Sequence, residues 1–188
     1  MSSHHIIREK QEPALLIMYF KDFDDEYLGQ LLEWSPTVIV PENIYDHAES
    51  LGIKIDGIVT TNADISTQEN TAIILTVDNP LEDALKYLSG EQYPAVNIIA
   101  KSFSLKDYAL FVDDINLVIF SGGKKIYPVR SGFSKWQAAG EQLELMHNVS
   151  NLKVEGLYYL TDHILETEKD GFYTLIFPQP FIFIAEFI

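Results

Sequence analysis

Cysteine is absent from the 188 residues, which excludes disulfides, thiolate nucleophiles and every cysteine-based zinc or iron–sulfur site. Cations are scarce. Thirteen Lys and Arg face 28 Asp and Glu, a formal charge of -15, and a field of that sign repels nucleic-acid phosphates and anionic lipid heads. Neither nucleic acid nor a membrane surface is an expected partner. The same field admits a polyphosphate only if a divalent cation screens it, so nucleotide chemistry here would need Mg2+. Long hydrophobic runs are missing too. The two longest, Ala14 to Phe20 and Phe181 to Ile188, are too short to span a bilayer and are rich in strand formers. The opening MSSHHIIREK lacks the apolar core of a signal peptide, and the expected compartment is the cytoplasm. No phosphate-loop, dinucleotide-loop or G-x-S-x-G signature occurs. His4, His5, His47, His147 and His163 show no metal-ligand spacing.

What is present reads as a folded chain, with 47% hydrophobic and 12% aromatic residues. ALLIMYF from Ala14 is a buried-strand pattern, and DDEYLGQLLEW (Asp24 to Trp34) follows with Tyr27, Leu28, Leu31 and Leu32 at helical spacing, which puts Trp34 in the core. The order repeats with TVIV (Thr37 to Val40), a helix from Ile44 to Leu51 stopped by Gly52, and DGIVT (Asp56 to Thr60). TAIILTV (Thr71 to Val77), a helix opened by Asp78-Asn79-Pro80 and closed near Gly90, AVNIIA (Ala95 to Ala100) and a short helix over Leu105 to Val112 complete the series. Strands alternating with helices predict a parallel sheet. After Ile115 the helices cease, and INLVIF, a Ser121-Gly122-Gly123 turn, KKIYPV, EQLELM, LKVEGLYYL, FYTLIF and FIFIAEFI read as a small β-sandwich. The fold class is therefore α/β, an N-terminal parallel-sheet domain over 1–122 followed by a C-terminal β-sandwich over 123–188.

Chemistry is expected at the carboxyl ends of the strands, where open α/β sheets bind their ligands. Glu42, Asp64, Asp78 and Asp107 follow four successive predicted strands, and such acids either converge on Mg2+ or serve as solvated loop residues and helix caps. Trp136 can stack on an aromatic or cationic ring, or fill a core or an interface.

Several stretches resemble thiamine pyrophosphokinase, from about Thr37 onward. Gly52-Ile53-Lys54-Ile55-Asp56-Gly57-Ile58-Val59 is similar to that family's G-I-x-P-D segment, and Glu82 to Leu88 to its E-K-A-L helix. Asp107-Tyr108 stands where the family has Asp-His, and Gly156-Leu157-Tyr158-Tyr159-Leu160 resembles its G-L-x-Y-P-L. The chemistry-bearing motifs depart from the pattern. Thr60-Thr61-Asn62-Ala63-Asp64 replaces G-D-x-D-S, Thr76-Val77-Asp78-Asn79-Pro80 replaces K-D-x-T-D, Glu42-Asn43-Ile44 replaces D-G-G, and Leu105 replaces the motif arginine. The family's late Ser-Asn has no counterpart around Gly171 to Thr174.

The resemblance implies transfer of pyrophosphate from ATP to thiamine with Mg2+ on carboxylates, in a homodimer whose cleft lies between the α/β part of one subunit and the β part of the other. Two readings follow. In the first, Asp64, Asp78 and Asp107 serve as displaced metal and catalytic residues, with Glu42 and Trp136 binding thiamine or a similar small cation. In the second, the fold persists in a non-catalytic protein that binds a small molecule or another protein.

Overall fold

The computed structural model describes residues 12–188 apart from Asp22 and Ser35; His4 and His5 lie outside the described residues. The chain divides into two compact units. One comprises residues through Lys101 with Asp107–Leu117, the other Ser102–Lys106 with Val118–Ile188.

In the first unit β1 (Ala14–Ile17), α1 (Asp25–Leu32), β2 (Val38–Pro41), α2 (Glu42–Ser50), β3 (Gly57–Thr60), β4 (Ala72–Leu75), α3 (Pro80–Gly90) and β5 (Ala95–Ile99) follow in sequence, and the division between the units falls within the short α4 (Leu105–Tyr108). The strands pair in parallel in the order β5-β1-β2-β3-β4. Residues of β1, β2 and β3 are buried throughout, as continuous apolar runs require when both faces of a strand are covered. Leu15, Ile17, Val38, Val40 and Ile58 share one cluster with Leu28 of α1 and with Tyr45 and Ala48 of α2. On α3, Ala84, Leu85 and Leu88 are buried, and the helix packs on β3 and β4.

Helix ends follow local chemistry. Asp24 caps α1 by accepting the Tyr27 N–H at 2.8 Å, and Asn79 caps α3 by accepting the Glu82 N–H at 3.3 Å. Gly52 closes α2 as expected, at φ +74°. Gly90 does not close α3. It is the last helical residue, and Gln92 takes the left-handed position at φ 60° while the Tyr93 N–H reaches back to the Leu88 carbonyl. Trp34 is not core either. α1 ends at Leu32, so the helical spacing that buries Leu28 no longer applies two residues later, and the indole is exposed.

The second unit is all antiparallel. β6 (Asn116–Ser121), β7 (Lys124–Val129), β9 (Gln142–Leu145), β11 (Leu157–Tyr159), β12 (Ile164–Thr167) and β14 (Ile182–Phe187) run in the order β11-β12-β9-β14-β7-β6. β8 (Phe133–Gln137), β10 (Lys153–Glu155) and β13 (Gly171–Ile176) form a second sheet, β10-β13-β8. Val129, Leu143, Leu165, Ile182 and Ile184 of the first sheet share a core with Tyr173 and Leu175 of the second, the arrangement of a sandwich. FIFIAEFI supplies β14, a central strand paired with β7 and β9. Gly156, at φ +73°, separates β10 from β11; a Cβ there would lie 2.8 Å from the Phe172 carbonyl oxygen.

Candidate functional site

A cleft of about 650 Å³ opens at the carboxyl ends of β2, β3 and β4, lined by Glu42, Tyr45, Asp46, Thr60, Thr61 and Thr76 among others. Topology places it there. Each parallel strand delivers its last residue to the same edge, and the helix that follows starts beside it. Pro41 ends β2 and Glu42 opens α2; Thr60 ends β3; Thr76 follows β4, and Pro80 opens α3. The three stretches that stand for D-G-G, G-D-x-D-S and K-D-x-T-D thus meet at one cavity.

Hydroxyls organise its floor. The buried Thr60 donates to the Glu42 carboxylate and accepts the Asn62 N–H at 2.9 Å, and the Thr76 hydroxyl donates to Asp83 Oδ2 at 2.7 Å. Tyr45 braces the wall. Its hydroxyl accepts the Gln68 N–H at 2.6 Å, and the Gln68 side chain bonds the Ile55 N–H and the Ile53 carbonyl. Burial raises the Tyr45 phenol above its ordinary value, with the Glu49 carboxylate adding to the effect, so it remains protonated. Glu42 and Asp46 give the lining its charge, and no Lys or Arg belongs to it.

The predicted acids are distributed unevenly around this cleft. Glu42 is in its wall. Asp64 is exposed in the loop between the lining residues Thr61 and Ile65, its N–H held by Asn62 Oδ1 at 3.0 Å. Asp78 is exposed between the lining residues Thr76 and Pro80. Asp107 is half-buried on α4, where its charge adds to the burial that raises the Tyr108 phenol. Among the described residues no three His, Asp or Glu side chains group closely enough to hold a metal ion. Asp64, Asp78 and Asp107 are not drawn together into one group of three carboxylates. Two histidines have other roles: His147 Nε2 accepts the Phe183 N–H at 3.1 Å, and His47 packs edge-on to Phe20 at 5.0 Å.

Trp136 is on β8 in the second unit, 54% exposed and directly opposite the 72% exposed Phe172 of β13. The sequence reading missed Asp46 and the threonines of the cleft. Thr60 and Thr61 carried a usable signal, since they stand at and just past the end of the predicted strand Asp56 to Thr60.

No protein-family model matches the chain, and no curated protein matches it in sequence. Solved structures do. Thiamine pyrophosphokinase from Bacillus subtilis is similar over 94% of this chain and 99% of its own, at 13% identity and a TM-score of 0.67. The enzyme from Geobacillus thermodenitrificans covers 93% of this chain and 96% of its own, at 7% identity and 0.68, and that from Candida albicans 94% and 90%, at 12% and 0.65. The chain has the thiamine pyrophosphokinase fold.

Proposed function

We propose that this chain is a non-catalytic thiamine pyrophosphokinase-like protein of the cytoplasm that binds a small organic cation, thiamine or a similar molecule, in the cleft above β2–β4. One observation carries the reading. Hydroxyls of Thr61 and Thr76 occupy motif positions where the fold's kinases carry an aspartate and a lysine, and the charge left in the lining is the carboxylates of Glu42 and Asp46. Glu42 and Asp46 are exposed, and two unit charges about 5 Å apart interact by about 1 kcal/mol at the dielectric of water. A cation gains that interaction with Glu42 or Asp46, and a phosphate is opposed by it. Mg2+ and ATP would then have no resident ligand set, and pyrophosphoryl transfer would lose the charge neutralisation on which it depends.

A homodimer belongs to the same proposal. Trp136 and Phe172 form an exposed cross-strand aromatic pair on the outer face of β8 and β13, with Ile176 also exposed on β13. Such a patch on an antiparallel sheet suits burial against a second copy.

Calorimetric titration with thiamine, and separately with Mg2+ and a non-hydrolysable ATP analogue, tests the reading beside an assay for thiamine diphosphate. Thiamine alone should bind, and Glu42→Gln with Asp46→Asn should weaken it about tenfold. Formation of thiamine diphosphate would overturn the non-catalytic reading, and its loss in Asp64→Asn with Asp78→Asn would then make those two the displaced metal ligands. No heat from thiamine would remove the ligand assignment.

A further inference from the structure

β4 is the outermost strand of its sheet among the described residues, paired with β3 alone. The Ala72 N–H donates to the Asp56 carbonyl at 2.8 Å and the Thr76 N–H to the Thr60 carbonyl at 3.0 Å. Backbone groups alternate along a strand, so those of Ile73 and Leu75 point to the open edge.

Their side chains, and that of Val77 in the bend that follows, are uncovered. Ile73 is 42% exposed, Leu75 60% and Val77 85%. Ile73 lies in register with Ile58, whose side chain belongs to the cluster under α1 and α2, but α2 packs chiefly on β2 and β3. Ile74, on the opposite face near Ile39 and Gly57, is buried. A parallel sheet normally covers both faces, and an apolar edge of this kind is a template for another strand.

Charge decides what fits. From Ile55 to Leu85 the chain carries six acids (Asp56, Asp64, Glu69, Asp78, Glu82 and Asp83) and no Lys, Arg or His. The bracketing cations are engaged, Lys54 with Asp56 and Lys86 with Glu82 at 2.6 Å. Glu69 and Asp78, near the two ends of β4, are exposed. A second copy would bring the same acids to the same edge.

We propose that β4 is a docking edge for an extended basic segment of another protein, which adds as a further strand beside Ile73–Leu75. Main-chain hydrogen bonds to Ile73 and Leu75 would supply the pairing, alternate apolar side chains would cover Ile73, Leu75 and Val77, and lysine or arginine would face Glu69 and Asp78. Ile73, Leu75 and Glu69 lie outside the cleft lining while Thr76 and the Asp78 loop border it, and the strand addition stands whether or not thiamine binds.

The test uses the full chain and three fluorescein-labelled heptapeptides: alternating lysine and valine, alternating glutamate and valine, and the basic peptide with a central proline. Anisotropy should show binding of the first only. Leu75→Lys should weaken it at least tenfold, while Leu110→Lys, the same charge change at an exposed leucine elsewhere in the unit, should change it less than about twofold. Amide exchange at Ile73 and Leu75 should slow on binding. Absence of binding by the basic peptide, equal binding of the proline peptide, or equal loss in both variants would overturn the proposal.

Discussion

Replacing Thr60 by valine keeps the shape of the residue that joins β3 to the cleft and removes only its hydroxyl. The hydroxyl is buried, accepts the Asn62 N–H and donates to Glu42. Each such bond contributes about 1 kcal/mol net, more when a charged group is fully desolvated; Glu42 is exposed, so water compensates part of its loss and the lower figure applies. Thr60→Val should therefore destabilise the end of β3 by about 2 kcal/mol, offset by at most a few tenths from the added methyl. Because two compact units need not unfold together, the measurement is native-state hydrogen exchange at β2 and β3 amides, which reads the first unit directly. Glu42→Ala and the double variant complete a cycle, and the coupling between the two sites should be about 1 kcal/mol. A loss under about 0.5 kcal/mol in Thr60→Val, or zero coupling, would refute the claim that this hydroxyl fixes the cleft floor.

Gly156→Ala must place a Cβ 2.8 Å from a backbone oxygen at φ +73°, and should cost about 3 kcal/mol from left-handed backbone and overlap together; wild-type urea resistance of the sandwich would contradict this. Tyr158 donates to Glu166, and with Gln142 it lowers that carboxyl's pKa. A depressed acid contributes stability above its unfolded pKa and loses it as pH falls through the folded value. Tyr158→Phe should move Glu166 back up toward its ordinary value in a carboxyl NMR titration, and an unmoved titration would remove the hydrogen bond from the account.

Both fold layers were legible because their patterns are local. Leu15, Val38 and Ile58 sit in continuous apolar runs, and Gly52 and Asn79 mark helix ends by their own chemistry. Two strands escaped. Phe133–Gln137 alternates Phe, Lys and Gln with exposed Ser and Trp, and Ile164–Thr167 is four residues long with a central Glu, so neither offers an apolar run. Trp34 was misplaced because a helical period says nothing about where the helix stops. Of the cleft, Glu42 was readable as an acid at a strand end, whereas the threonines were passed over: a hydroxyl acquires its role from the partner it meets, and Glu42 is 18 positions from Thr60 in the chain.

That division explains how a cleft can change chemistry while its fold persists. Strand cores such as Leu15, Ile39 and Ile58 are wholly buried and make no use of the residues beyond the strand ends, so motif acids can be lost without loss of packing. Crowded carboxylates repel one another when no metal is present, and threonines that bond the remaining acids relieve that cost. The argument runs in reverse as well. Thr61→Asp with Ala63→Asp restores the paired acids of the resemblance at two exposed positions, adding two charges to a chain already at -15. Without metal the variant should lose about 1 kcal/mol of stability, and Mg2+ at ten times its Kd should return about 1.4 kcal/mol by linkage. Stability that responds to Mg2+ in the variant and not in the native chain would mean that the loop geometry survives and only the ligands were lost. A variant indifferent to Mg2+ would mean that the backbone after β3 no longer presents two side chains to one ion, and that the thiamine pyrophosphokinase fold has been kept here for its cleft alone.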